Sequence, residues 1–70
     1  MIKVTRINNS VLYVNPDLIE FLEETPDTIV SMTTGKKLVV LETIAEIESR
    51  IIEYKREIIG DVTKEIILQD

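Results

Sequence analysis

The chain contains no cysteine and no histidine, which limits the kinds of site that it can build. It cannot form a disulfide, and the two side chains that hold most protein zinc sites are absent. A nucleophilic triad that relies on histidine is excluded for the same reason. Tryptophan is absent too, and the chain has only two glycines and two prolines. We therefore expect a protein that is not an enzyme, with no catalytic residue, no cofactor and no metal site.

The length of the chain, 70 residues, predicts one domain with a small core. At this size the free energy gained by burial nearly cancels the conformational entropy lost on folding. Small domains are therefore often stabilised by a disulfide, a metal or association with another chain. The first two are not available here, so a homo-oligomer and a monomer both remain open.

The charge distribution argues against nucleic-acid and membrane partners. The formal net charge is −5, and most of the acidic excess lies in residues 42–70. Tight nucleic-acid binding usually needs a basic surface of useful size, and none is evident. The longest fully apolar run, Leu38–Leu41, is far too short to cross a membrane. Met1–Arg6 is charged from the start and is unlike a signal peptide, so we expect a cytoplasmic protein with no membrane insertion.

Residues 25–41 predict a β-hairpin around which the rest of the chain is organised. Apolar and polar residues alternate from Thr28 to Thr33, and Leu38–Leu41 is apolar and largely β-branched. Gly35 lies between these runs and can adopt the positive φ angle that a tight turn requires. All other elements are expected to pair with this hairpin or to cover it.

The first part of the chain predicts a second hairpin and a linking strand. Residues 2–7 alternate, with Ile2 and Val4 expected to face the core, and an Asn-rich turn leads to residues 11–14. Val11–Val14 is apolar on both faces, which favours a central position or a second covering layer. Residues 15–22 fit helical and strand spacing about equally. We favour one helical turn over 15–18, begun by Asn15 and Pro16, and a strand over 19–24.

An amphipathic helix is predicted after the second hairpin. Thr43 and Glu46 have the spacing of a capping box, in which each side chain bonds the other residue's backbone N–H. From there, apolar residues recur in alternating steps of three and four, at Ile44, Ile47, Ile51, Tyr54 and Ile58. Gly60 is a suitable residue to end the helix.

The predicted fold class is α+β: a small antiparallel β-sheet of four or five strands with one C-terminal amphipathic helix. The strands form two hairpins and a linking strand, over about 2–7, 11–14, 19–24, 28–33 and 37–41, and the helix covers about 44–59. Residues 1–60 are expected to form the single domain. Residues 61–70 are expected to form a C-terminal tail.

The apolar stripe of the helix has two interpretations. A stripe of this width is typical of a helix that faces its own core. A helix of about 16 residues is also longer than a short strand, so its last turns could extend past the sheet and contact another chain. The candidate interface under the second interpretation consists of Ile51, Tyr54, Ile58 and Ile59.

Two charged clusters are weak candidates for a site. Glu23, Glu24 and Asp27 could bind a divalent ion, but a solvated connection is the simpler explanation, because an isolated carboxylate needs a positioned partner to act. Gly35-Lys36-Lys37 could contact phosphate, but a phosphate loop needs more glycines and a helix directly after it. Lysines that keep a hairpin edge soluble explain the second cluster.

Four pieces of the chain together resemble a known family. They are Asn15-Pro-Asp-Leu-Ile-Glu20, Glu23-Glu-Thr-Pro-Asp-Thr-Ile-Val30, Thr34-Gly-Lys-Lys-Leu-Val-Val40 and Ile51-Ile-Glu-Tyr-Lys-Arg56. Their order and spacing, with the start Met1-Ile-Lys-Val-Thr-Arg6, are similar to the small flagellar-operon family called FlbD or swarming motility protein SwrD. The resemblance covers residues 1 to about 58, and Thr34 stands where that family would be expected to have asparagine.

The resemblance implies a cytoplasmic, non-enzymatic protein that supports swarming, with the periphery of the flagellar base as its expected place of action. Its members are thought to raise the power of the flagellar motor, so the implied partners are motor or stator proteins. No residue role is transferred from the family. The alternative is a small nucleic-acid-binding regulator of flagellar gene expression, since sheet-plus-helix domains include such modules. The negative net charge argues against that alternative.

Overall fold

The chain folds into five strands and one long helix. A computed structural model describes the backbone of residues 1–69 and the side chains of residues 1–58. The strands are β1 (Ile2–Thr5), β2 (Val11–Val14), β3 (Ile19–Glu23), β4 (Thr28–Met32) and β5 (Lys37–Val40), and the helix α1 is Ile44–Gln69. A short 3-10 helix, Pro16–Leu18, precedes β3 and is begun by Asn15, whose side chain accepts a hydrogen bond from the Asp17 N–H. The predicted α+β class is confirmed.

The strands form two antiparallel sheets, β1–β2 and β3–β4–β5. Among the described residues, one isolated bridge between Arg6 and Val40 joins β1 to β5. The residues that flank this bridge exchange backbone hydrogen bonds of 2.8 and 3.2 Å. The spatial order is therefore β2, β1, β5, β4, β3, with β2 and β3 at the two edges.

The core lies between one face of these strands and the first turns of α1. The apolar side chains of alternate strand positions are buried there together with one helix residue: Ile2, Val4, Val14, Val30, Leu38, Val40 and Ile47. Ile2 and Val4 face the core as predicted, at 3% and 0% exposure. Burial of side chains with period two in the strands is what fixes the register of each hairpin.

The expected central position of Val11–Val14 is wrong, because β2 is an edge strand. It pairs only with β1 among the described elements, and its residues alternate between exposed and covered positions. Val11 is 51% exposed and Tyr13 is 60% exposed, whereas Val14 is buried. The second expectation for these residues, an additional covering layer, stays a prediction.

Both turns that the sequence marks have left-handed backbone conformations. Asn9 has a φ of 70° between β1 and β2, and Gly35 has a φ of 92° between β4 and β5. The second turn is closed by the Gly35 N–H, which donates to the Met32 carbonyl at 2.9 Å. Glycine and asparagine are the residues that adopt this region at least cost, so these turns follow directly from residue type.

The first turn of α1 is capped by neighbouring and distant side chains. The Thr43 hydroxyl accepts from the Glu46 N–H at 3.2 Å, and the Glu46 carboxylate accepts from the Thr43 N–H at 3.3 Å. The Glu24 carboxylate accepts from the Ile44 N–H at 2.7 Å, across twenty positions of the chain. The first N–H groups of a helix have no partner within it, so these three contacts satisfy groups that would otherwise need water.

The helix does not end at Gly60, since α1 continues to Gln69. One glycine inside a helix costs only about 1 kcal/mol relative to alanine, and no proline follows it. Apolar residues also continue at four-residue steps through Ile58, Val62 and Ile66. The division of the chain into a domain over 1–60 and a tail over 61–70 stays a prediction.

Candidate functional site

The candidate interface on α1 contains two residues that contribute to the core. Ile51 and Tyr54 are half-buried and pack against the core cluster. Ile58 is 43% exposed and follows them at the same helical spacing. Ile59 lies outside the residues whose side chains are described. The helix stripe is thus core-facing as far as Tyr54, and an interface around Ile58 stays a prediction.

A buried carboxylate, that of Glu42, links the end of β5 to β1 and α1. Its side chain is only 6% exposed. The Thr5 N–H and the Thr5 hydroxyl each donate to it at 2.8 Å. Arg50 donates to the same carboxylate at 2.8 Å and to the Lys3 carbonyl at 2.7 Å. The Glu42 carboxylate thereby joins residues from three elements.

The environment of Glu42 strongly favours its ionised form. Burial of the carboxyl group by itself raises the pKa, but the Thr5 N–H, the Arg50 guanidinium and the Thr5 hydroxyl outweigh that effect. Together these contacts lower the pKa of Glu42 from 4.5 to about 2. The group is therefore charged throughout the neutral range.

The Glu42–Arg50 pair occupies the side of β1 that faces away from β2. On that side, the described residues place no strand beside β1 beyond the bridge at Arg6, and Glu42 and Arg50 contact the backbone groups of Thr5 and Lys3 instead. Glu46, four positions before Arg50 on the helix, is a weaker partner, since that pair is 4.0 Å apart and Glu46 is 55% exposed. The only sequence signal for Glu42 is a charged residue directly between an apolar strand and a helix cap.

The two charged clusters that the sequence offers as weak site candidates lie at different places in the fold. Glu24 caps α1, and Glu23 lies in β3. Lys36 lies in the turn after β4, while Lys37 begins β5. Among the residues described, no group of three or more carboxylates is close enough together to hold a metal ion. Glu24 is thus a helix cap and not merely part of a solvated connection, and Lys37 lies in β5, which has a neighbour on each side and is not an edge strand.

An apolar patch covers the face of the sheets that α1 leaves uncovered. Val39 and Leu41 flank the buried Val40, so their side chains lie on the opposite face. Val11 and Tyr13 alternate with Leu12 in the same way. We call this surface the outer patch, and each of its members is at least 36% exposed: Ile7, Val11, Tyr13, Val39 and Leu41. Exposed apolar side chains grouped on one face are typical of contact surfaces.

A model of a known protein family matches most of the chain. The family model FlbD, described as flagellar and swarming motility proteins, matches residues 1–59. The chain belongs to the FlbD family. The match includes β1 to β5, the Glu42–Arg50 pair and the first part of α1, so the FlbD region carries the core and the outer patch.

Membership in FlbD makes this a flagellar and swarming motility protein. A search of curated proteins and a search of solved structures each returned no match. Over the described part of the FlbD chain, no helix is both long enough and apolar enough to span a bilayer.

Proposed function

We propose that this FlbD protein is a non-enzymatic accessory protein that promotes the power of the flagellar motor during swarming. It acts through protein–protein contacts with motor or stator components, at the cytoplasmic periphery of the flagellar base. The FlbD match over residues 1–59 carries this proposal, because it connects the chain to flagella and swarming.

The outer patch supports a function by contact. Its members lie in β2 and β5 and directly after β1 and β5, and each of them is exposed in the described part of the chain. Val39 is paired with Ile29 and lies opposite Ile7 across the bridge to β1, so apolar side chains form a row across the sheets. A partner that covers this row removes apolar area from water, at about 25 cal/mol per Å².

The ionised Glu42 supports the proposal in a second way. Its contacts with Thr5 and Arg50 fix β1 against α1. Val39 lies in β5, and Ile7 and Leu41 directly follow β1 and β5. These residues are therefore attached to strands that the Glu42 contacts hold against α1. A surface that is fixed before binding loses less conformational entropy on binding than a mobile one.

The proposal predicts reduced motor torque in a strain that lacks the gene. Torque is read from tethered cells, and flagella are counted in the same culture. We expect a normal number of flagella with lower torque, restored when the gene is supplied again. Fewer flagella with normal torque in those remaining would contradict a role at the motor and would favour assembly or gene expression instead.

A further inference from the structure

The outer edge of β2 has backbone groups that no described element pairs. In the β1–β2 ladder, Val4 is opposite Leu12, and the Arg6 N–H donates to the Ser10 carbonyl at 2.8 Å. Hydrogen-bonded pairs alternate with non-hydrogen-bonded pairs in an antiparallel ladder. Val11 and Tyr13 therefore belong to the non-hydrogen-bonded pairs, and their N–H and C=O groups point away from β1.

The residues opposite them confirm this alternation. Thr5 is paired with Val11, and its N–H donates to Glu42 while its C=O accepts from the Leu41 N–H at 2.8 Å. Lys3 is paired with Tyr13, and its C=O accepts from Arg50. Three of these four backbone groups on the far side of β1 thus have partners, whereas those on the far side of β2 have none among the described residues.

The two edges of the sheets differ in how they are protected against pairing. β3 carries exposed Glu20 and Glu23, and its register shifts between Ile19 and Phe21. Charges and bulges of this kind keep edge strands from pairing with other chains. β2 is Val-Leu-Tyr-Val, with no charge, no proline and no register shift. It is the unprotected edge.

We propose that β2 pairs antiparallel with β2 of a second copy of this chain, about a two-fold axis at Leu12. In this register Val11 lies opposite Tyr13 of the partner subunit, and each such pair exchanges both backbone hydrogen bonds. The groups that point away from β1 are then satisfied. The product is a homodimer with one continuous sheet, in which the two outer patches lie side by side.

A second copy fits this edge because the edge is complementary to itself. Val11 of each copy lies opposite Tyr13 of the partner subunit, and a β-branched residue opposite an aromatic one is a favourable cross-strand combination. No like charges are brought opposite each other, since β2 has none. The acidic excess lies in residues 42–70, so pairing through β2 joins the nearly neutral parts of the two copies.

The mass of the full chain in solution tests the pairing, measured by light scattering over a range of concentrations. We expect a dimer of the 8.0 kDa chain. Tyr13→Lys places a charge on the edge and is expected to weaken dimerisation at least about tenfold. Phe21→Lys is the matched control, because Phe21 is 59% exposed and Tyr13 is 60% exposed, but Phe21 lies on β3. It should leave the dimer unchanged.

A single cysteine tests the register, because the natural chain has none. Leu12 lies opposite Leu12 of the partner subunit in a non-hydrogen-bonded pair, with Cα atoms about 4.5 Å apart, which a disulfide can bridge. Leu12→Cys should therefore form a covalent dimer under mild oxidation. Glu20→Cys, on the protected edge, should remain a monomer on a denaturing gel.

Several outcomes would overturn the proposal. A chain that stays monomeric at all concentrations rules out the homodimer, and the open edge would then be a site for a strand of another protein. A dimer that survives Tyr13→Lys but is lost with Phe21→Lys pairs through β3. If Glu20→Cys forms a covalent dimer and Leu12→Cys does not, the dimer again pairs through β3. This conclusion holds even if Tyr13→Lys disturbs folding.

Discussion

Replacing Ile47 by alanine should lower the free energy of unfolding by about 3–4 kcal/mol. Ile47 is the helix residue at the centre of the core and is 0% exposed. The change removes buried apolar atoms and leaves a cavity between α1 and the strands. A domain of this size is stable by only about 4–10 kcal/mol, so much of its stability would be lost.

The same helix supplies the matched control for this prediction. Ile52 is 58% exposed, five positions after Ile47 in α1. Ile52→Ala should change the free energy of unfolding by no more than about 0.5 kcal/mol. Urea unfolding followed by far-UV circular dichroism measures both variants. Equal losses for the two would contradict the assignment of Ile47 to the core and Ile52 to solvent.

Replacing Glu42 by glutamine should cost about 2–3 kcal/mol at neutral pH. The glutamine has nearly the same shape but lacks the charge that binds Arg50. Its amide nitrogen faces either the Thr5 N–H, in place of Oε1, or the Thr5 hydroxyl and the guanidinium, in place of Oε2. The 2.8 Å contacts to Thr5 and Arg50 are therefore weakened or lost. Arg50 is 36% exposed, so water partly solvates its guanidinium when the charge of Glu42 is removed. The cost therefore stays below that of a buried charge left without a partner.

The pH dependence of this loss has a definite sign. The pKa of Glu42 is lower in the folded protein, about 2 against 4.5, so its stabilising contribution is complete above pH 4.5. It declines as the pH falls from there towards 2, because the carboxylate is protonated. We expect the stability difference between the natural chain and Glu42→Gln to shrink over this range and to approach zero only below pH 2.

Glu46→Gln is the control for charge alone. Glu46 is 55% exposed and lies 4.0 Å from Arg50, so it is a weak surface pair. Its replacement should cost less than about 1 kcal/mol at every pH. Urea unfolding at a series of pH values measures both variants. A Glu42→Gln difference that stays constant between neutral and acid pH would contradict the ionised, buried state of Glu42.

Local features of this fold follow from residue type and spacing. Gly35 and Asn9 have the positive φ angles expected of such turns, and Thr43 and Glu46 form the expected capping box. The helical spacing also places Ile47 in the core. Each of these features depends on residues only a few positions apart, where backbone preference and short-range hydrogen bonds decide the conformation.

Features that depend on distant residues were not predictable in this way. Glu42 contacts Thr5 across 37 positions, and no periodicity relates the two. The exposed position of Val11 and Tyr13 depends on β2 having β1 as its one neighbour among the described elements, which local spacing does not show. The apolar residues on both faces of Val11–Val14 predict a further layer, and Val11 and Tyr13 are exposed in the described part of the chain.

Motor torque in cells that carry an altered outer patch tests most directly whether this FlbD protein acts through that surface. Ile7 and Leu41 are 61% and 53% exposed and do not lie on the open edge of β2. The double variant Ile7→Lys, Leu41→Lys should accumulate normally yet give the torque of the gene deletion, whereas Ile52→Lys on α1 should restore full torque. Full torque from a normally folded, normally abundant double variant would contradict the account.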